Sequence, residues 1–346
     1  MINEKILFIN FGGLGDEILF LPSILSVKKE FPDSKVTLAL ENRSKGITAL
    51  TDCIDNILTA NIKAGGKLGG KLGGKFGGKF WGKYIELFKL LCKIRKEKFD
   101  VVVSSGSNKF ISIFLFLTGI KKRYGYNTGK LSQILLTEAV NLDKNRYAVQ
   151  MYHELVKPLT NVVTELPEFD IEKKKIIPNS VLIHPGVSRL SVEKRMIKTV
   201  SPQIWAEVVE KLADSGEKVF LAGGPDDKEC IDIITNTVPP NKYENLYGTT
   251  NNLKELAELI SSAEKFLCSD SAPLHIAVGL GVKTYAIFGS TDDKKLIPQN
   301  DKVVAIKADC NCSLRPCLWE RRQTTCESLE CLNISSDKIA KTVLNG

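Results

Sequence analysis

Apolar residues in this chain fall into short unbroken runs of about five, separated by longer stretches in which they recur every three or four positions. The runs at 5–11, 35–40, 56–60, 100–104 and 123–126 read as buried strands. The stretches at 16–30, 84–98, 109–117 and 147–160 read as helices, with Pro22 expected to kink or restart the first of them. Strand and helix alternate, which predicts a parallel, doubly wound sheet. The segment 161–179, with Pro167, Pro178 and the charge run EKKK, reads as a link between domains. A second series follows it. Strands are expected at 181–186, 218–224, 265–269 and 283–289, and helices from Ser201-Pro202, at 226–236, at 252–262 and from Pro273, with a last helix capped by Ser335 or Ser336. The predicted fold class is α/β, with two doubly wound, Rossmann-like domains facing a cleft. The expected boundaries are 1–165, carrying a basic Gly-Lys repeat loop at 65–83, then 176–330, then a tail helix at 331–346 packing back across the domains.

At 346 residues the chain can bury two cores of ordinary size, and 43% hydrophobic with 25% charged residues is the balance of a soluble globular protein. No run reaches the roughly eighteen uncharged apolar residues of a membrane span. The start, MINEKILFINF, has acid, base and no small-residue cleavage site, so a cytoplasmic location is expected. The net charge of +8 is concentrated in one place: residues 63–98 hold eleven Lys/Arg against Glu86 and Glu97, and the remainder sums to −1. One anionic partner at that place is expected, and general nucleic-acid binding through a basic body is not.

Within the basic stretch, GGKLGGKLGGKFGGKFWGK (65–83) contains G-x-x-x-x-G-K at 65–71. Leu72 stands where a phosphate-binding loop needs Ser or Thr for magnesium, and glycine follows in place of a helix. Interior glycines cost a helix about 1 kcal/mol each relative to alanine, so coil is expected through the repeat. Lys67, Lys71, Lys75 and Lys79 with Trp81 then read either as a salt-sensitive hook for an anionic membrane or phosphorylated acceptor, or as a neutral expansion of a surface loop.

Four segments carry candidate chemistry. Gly12, Gly13 and Gly15 form a strand-to-helix turn whose amides can approach an anion, while Asp16 after it is either a charge favourable to the helix dipole or a general base at the cleft rim. In the loop HPGVSRLSVEKR (184–195), Arg189, Lys194 and Arg195 read either as an ordinary solvated charge cluster or as cations for a diphosphate leaving group. In AGGPDD (222–227) the acids can hold a ribose hydroxyl. SDSAPLHIA (269–277) leaves a strand and opens a helix: Asp270 and Ser271 can cap, Pro273 fits the first turn, and His275 lies one turn in, either facing the same ligand or as a satisfied core histidine. The three histidines are not spaced as a metal pair.

In order and spacing these segments, from FGGLGDEILFLPSI through IHPG, Trp205 and FLAGGPDD to LKELAELISSAEKFLCSDSAPLHIAVGLGVKTYAIFGSTD, resemble glycosyltransferase family nine, the ADP-heptose:lipopolysaccharide heptosyltransferases. The resemblance implies a GT-B enzyme, inverting and metal-independent, that needs no cofactor. Its donor would be a nucleotide sugar of ADP-heptose type held mainly by the C-terminal domain. Its acceptor would be a lipopolysaccharide-core or similar glycan or glycolipid met by the N-terminal domain, with the enzyme peripheral at the inner face of the cytoplasmic membrane. By position Asp16 matches the family's proposed base, and Lys194 its phosphate-contacting cation. Asp270, Ser271, Ala272 and His275 match the loop around the diphosphate and sugar, and Asp226 or Asp227 falls near the acid that meets the ribose. Ala272 stands where glycine is common, and an insertion begins at Met196. Protein O-heptosyl transfer, another nucleotide sugar, an epimerase of the same architecture and a sugar-nucleotide-binding protein without turnover are the rival readings.

Nine cysteines are present, and Cys310, Cys312, Cys317, Cys326 and Cys331 crowd together without a C-x-x-C pair. Some relatives implied by the resemblance hold metal with cysteines in this region. The alternatives are a structural zinc or iron and reduced thiols packing the tail.

Overall fold

The structure is a computed structural model and describes residues 4–62, 77–318 and 326–346. The chain divides into two compact units, Met1–Asp170 and Ile171–Gly346.

In the first unit the order is β1 (Lys5–Ile9), α1 (Leu14–Glu30), β2 (Lys35–Glu41), β3 (Asn56–Ala60), α2 (Gly77–Glu97), β4 (Val101–Ser104), α3 (Ile111–Leu117), β5 (Lys122–Tyr126), α4 (Lys130–Leu135), β6 (Glu138–Val140) and α5 (Ala148–His153). The six strands form one parallel sheet in the order β3-β2-β1-β4-β5-β6. Strands buried on both faces have no polar side to present, which is why KILFI and VVVS read as unbroken runs. Leu7, Ile9 and Val102 pack with Leu90 and Ile94 of α2, Ile111 and Leu115 of α3 and Leu136 after α4, so these three helices share one face of the sheet over one core.

The second unit continues with β7 (Ile177–His184), α6 (Arg189–Glu193), α7 (Pro202–Asp214), β8 (Lys218–Leu221), α8 (Lys228–Thr237), β9 (Glu244–Asn245) and α9 (Leu253–Ser262). It closes with β10 (Ala263–Ser269), α10 (Ala272–Leu280), β11 (Lys283–Phe288), α11 (Asp293–Leu296), β12 (Val303–Lys307) and α12 (Ser336–Asn345). Its parallel sheet runs β12-β11-β10-β7-β8-β9. Ser201 caps α7, its Oγ accepting from Ile204 N at 3.4 Å, and Ser335 caps α12, accepting from Lys338 N at 3.2 Å. The tail helix α12 packs on α7 of its own unit, with Ile339, Ala340 and Val343 in the core beside Trp205 and Val209. The tail helix is thus part of the core of its own unit.

Three local expectations are corrected. Pro22 does not restart the helix but lies inside a continuous α1: the proline and its neighbours are buried, and the packing of that face offsets the missing hydrogen bond. The helix expected at 147–160 ends at His153 and gives way to turns before Pro158, whose ring disfavours helical backbone at Lys157. Helix α2 begins at Gly77, so the repeat is helical from there and not coil. Extending an existing helix adds a hydrogen bond per residue without a new nucleus, which offsets the glycine cost. The edge strands β6, β9 and β12 and the short helices α4 and α6 were not anticipated, being too short to show a period.

Trp205 is the largest fully buried side chain among the described residues. Trp205→Ala is expected to lower stability by about 3–5 kcal/mol, read as a shifted urea midpoint. Trp205→Phe, which loses chiefly the indole hydrogen bond, should cost about 1–2 kcal/mol.

Candidate active site

Each sheet has a reversal in strand order: β2 and β4 flank β1, and β8 and β10 flank β7. At such a point the loops leaving the carboxyl ends diverge and open a crevice for ligands.

In the second unit β7 ends at His184 and leads into Pro185-Gly186, while β10 ends at Ser269 and leads through Asp270 into α10. Hydroxyls knit these ends together. Ser269 Oγ lies 2.7 Å from both Pro185 O and Thr199 Oγ1. Thr199 Oγ1 in turn donates to Pro185 O at 2.8 Å and accepts the indole N–H of Trp205 at 2.9 Å. On the other side of Lys198, Ser290 Oγ donates to Ile197 O at 2.7 Å. With both its neighbours held, Lys198 is delivered to Asp270, Nζ to Oδ2 at 2.9 Å.

Asp270 is 3% exposed. Burial by itself would raise its carboxyl. The charge of Lys198, the nearby His275 and hydrogen bonds from Lys198 and Thr291 outweigh that, and the group lies below the usual carboxylate range. His275 is buried in the first turn of α10 beside Asp270. Ser271 is the cap residue, but its hydroxyl turns back to Ser269 O at 3.4 Å and caps no amide of the helix. Pro273 has no N–H and Leu274 N bonds Ser271 O, so the amides of Ser271 and Ala272 face outward from the helix start.

Lys194, the expected phosphate contact, is exposed in the turn after α6. The cation that reaches Asp270 is Lys198, four residues on, because the segment after Met196 carries the loop back to the strand ends. Sequence spacing missed Lys198, Thr199 and Thr291; the Ser201-Pro202 cap just beyond was the one usable signal. In AGGPDD, Asp227 is 5% exposed, accepts Gly224 N–H at 2.7 Å and lies 3.6 Å from His184 Nε2. Burial pushes His184 below the usual imidazole range and Asp227 above the usual carboxylate range. A Cβ on Gly186 would sit 1.6 Å from Asp227 Oδ1, so the Pro-Gly turn needs glycine to receive this carboxyl. Asp227 therefore locks two loops together. Asp226 is exposed, with Oδ2 accepting Arg189 N at 3.0 Å.

In the first unit the turn after β1 is built by side chains. Asn10 Oδ1 accepts Gly12 N at 3.1 Å, and Asp16 Oδ2 accepts Gly13 N at 2.6 Å. A Cβ on Gly12 would lie 2.2 Å from Asp16 Cβ, so glycine is required there. Gly15 falls in the first turn of α1. Asp16 is half-buried, and among the described residues its Oδ1 has no hydrogen-bond donor. Arg43, which the sequence did not single out, brings its guanidinium to this turn: Nη2 is 3.7 Å, and Asp16 Oδ2 3.6 Å, from the point where a Cβ on Gly13 would stand. A polar cavity of about 460 Å³ opens at the ends of β5 and β6, lined by Ser107, Asn127, Thr128, Asn141 and Lys144 among others.

Lys67, Lys71 and Lys75 lie outside the described residues, as do the side chains of Lys79 and Trp81. All nine cysteines are free thiols. Cys317 Sγ contacts Ser290 O at 3.8 Å, Cys310 Sγ contacts Arg315 at 3.9 Å, and burial pushes the Cys331 thiol up to about 11. Cys310, Cys317 and Cys326 are within electrostatic reach of Cys331, Cys312 is half-buried, and among the described residues no group of three or more His, Cys, Asp or Glu is arranged to hold a metal.

Residues 87–325 match the model of the family described as Glycosyltransferase family 9 (heptosyltransferase). Lipopolysaccharide heptosyltransferase 3 of Escherichia coli is 26% identical over 298 residues, covering 80% of this chain and 81% of its own. Among solved structures, E. coli ADP-heptose lps heptosyltransferase II superposes with a TM-score of 0.70 at 17% identity, over 99% of this chain and 97% of its own. E. coli heptosyltransferase WaaC with ADP gives 0.71 at 14% identity, over 99% of each chain. These two likenesses establish the fold as GT-B.

Lys198→Met leaves Asp270 buried without its cation and is expected to cost about 3–5 kcal/mol at neutral pH; Asp270→Asn in the same chain should restore most of it. The folded carboxyl titrates below its unfolded value of about 3.9, so the pair stabilises fully above that pH. The contribution is lost as pH falls through the lowered value. Urea midpoints of wild type and Lys198→Met should therefore converge in acid; a constant gap down to about pH 2 would show another cause.

Proposed function

The chain belongs to glycosyltransferase family 9 and is a glycosyltransferase, and on that premise we propose that it moves a heptose or related sugar from an ADP-linked donor to a lipopolysaccharide-core type acceptor, with inversion and without a metal ion. The observation that carries this reading is the delivery of Lys198 and the first amides of α10 to the carboxyl ends of β7 and β10. A leaving diphosphate gains negative charge as the glycosidic bond breaks. Lys198, held on both sides by the Thr199 and Ser290 hydrogen bonds, and the amides of Ser271 and Ala272 at the start of α10 are donors for that charge. Such donors supply the stabilisation that a metal ion would otherwise give. Asp270 keeps Lys198 oriented and charged, His275 supports Asp270, and Asp226 is the acid of its loop open to a ribose hydroxyl.

Asp16 is the base in this reading. Its carboxylate is oriented by Gly13 N–H, and Oδ1 takes the proton of the acceptor hydroxyl as that oxygen attacks the anomeric carbon. Arg43 and the polar cavity beyond β5 and β6 suit an acceptor with hydroxyls and negative charge. No helix among the described residues is long and apolar enough to cross a membrane. A cytoplasmic enzyme held peripherally at the inner membrane, with Lys67, Lys71, Lys75, Lys79 and Trp81 of the repeat as one hook, fits a lipid-linked acceptor. The cysteines are read as reduced thiols packing the end of β11, with no cofactor needed.

Calorimetric titration should show ADP binding in preference to UDP and GDP without added metal. Lys198→Met should weaken ADP by roughly 10- to 100-fold, and Lys194→Met by much less. Preference for another nucleotide would remove the ADP-linked donor. Asp16→Asn should lower turnover about a hundredfold or more while leaving ADP affinity nearly intact, and unchanged turnover would remove the base.

A further inference from the structure

Helix α2 is apolar on two sides. Leu90 and Ile94 enter the core of the first unit, while Tyr84, Ile85 and Phe88 point away from it and are exposed, Phe88 by 66%. A surface helix ordinarily shows polar residues on its outer side. The same inversion recurs on the two helices that share its face of the sheet: Phe110 before α3 is 65% exposed and Ile134 of α4 is 76% exposed, with Phe116 and Leu131 also open to solvent. These helices adjoin: Arg95 Nε of α2 donates to Leu117 O at the end of α3 at 2.9 Å, and α3 packs on α4. Most of the exposed large apolar side chains among the described residues thus lie on this one face.

The segment that carries this face is basic. Residues 83–135, which hold these helices together with β4 and β5, carry eleven Lys/Arg against three acids. The cations stand beside the rings: Lys109 Nζ is 5.3 Å from the centroid of Phe110, and the Arg123 guanidinium 5.6 Å from that of Phe116. Two kinds of partner bury exposed Phe, Leu and Ile. Protein interfaces deplete lysine at their centre. A bilayer interface takes apolar tips among the acyl chains while lysine and arginine reach back to phosphates.

We propose that the outer face of α2, α3 and α4 is a docking surface for an anionic lipid bilayer, with Phe88, Phe110 and Ile134 entering the headgroup boundary and Lys89, Lys93 and Lys96 pairing with lipid phosphates. The proposal deepens and rests on the peripheral-membrane reading above, and moves its main anchor from the repeat to the helices. It places the first unit against the surface that would carry a lipid-linked acceptor.

The test is co-sedimentation of the full chain with phosphatidylglycerol/phosphatidylethanolamine vesicles and with phosphatidylcholine vesicles, which needs no substrate. Wild type is expected to bind the anionic vesicles, less at high salt, and the neutral ones weakly. Phe88→Ser, Phe110→Ser and Ile134→Ser in one chain should weaken binding about tenfold or more with unchanged melting and ADP affinity, because all three are exposed. Lys89→Gln, Lys93→Gln and Lys96→Gln should remove the dependence on anionic lipid. Removal of residues 65–76 should have the smaller effect. If wild type binds no vesicle, the membrane reading and the proposal both fail. If wild type binds and the serine variant binds equally, or loses only a dimer seen by light scattering, the membrane reading stands and the proposal is overturned.

Discussion

Two parallel sheets, each covered on both faces, set the rest of this molecule in place. Parallel strands cannot be joined by tight turns, so every pair is linked by a helix or long loop that crosses in one hand. The order β3-β2-β1-β4-β5-β6, and its counterpart in the second unit, forces the chain to reverse direction once per sheet. The turn holding Asp16 leaves β1 at one reversal, and the Lys198–Asp270 pair lies at the ends of β7 and β10 at the other. The proposed chemistry uses the places where the fold leaves a gap between diverging loops.

Within the second unit, precision comes from small groups around the charged ones. Thr199, Ser269 and Ser290 contribute no charge, yet their hydrogen bonds to Pro185 and Ile197 hold the backbone on both sides of Lys198. Trp205 anchors the same network from the core. A buried ion pair is costly to form and more costly to break, and here the lysine remains partly open to solvent, so it can share its protons between Asp270 and an incoming anion. The neighbouring His184–Asp227 pair is closed on itself and serves the architecture: Asp227 fills the space left by Gly186 and fastens one loop to the next. Two acids adjacent in sequence, Asp226 and Asp227, thus have different work, decided by which one faces inward.

The first unit shows the same division at larger scale. One side of α2, α3 and α4 supplies the core beneath the sheet, while the other presents phenyl and alkyl groups among lysines. The repeat before α2 concentrates attention in the sequence because it is regular. The described helices hold the stronger feature, which is spread over three elements and shows no local pattern.

Much of the fold was legible along the chain. The runs KILFI, NILTA and KTYAIF and the caps Ser201, Asn252 and Ser335 mark their elements because backbone preference and burial act over a few neighbouring residues. The positions of Asp16 and of the Asp270 loop at strand-turn-helix junctions were legible too, since such junctions place their residues by local geometry. Lys198 was not: Lys194 and Lys198 differ only in which one the loop carries back to β10, and hydrogen bonds to residues about seventy and ninety positions away decide that. Arg43, the burial of Asp227 and the exposed side of α2 belong to the same class. The sequence by itself determined the longer elements, their alternation and the family; the tertiary structure alone decided which charges meet and which apolar faces stay open, because those depend on contacts between segments that no local spacing encodes.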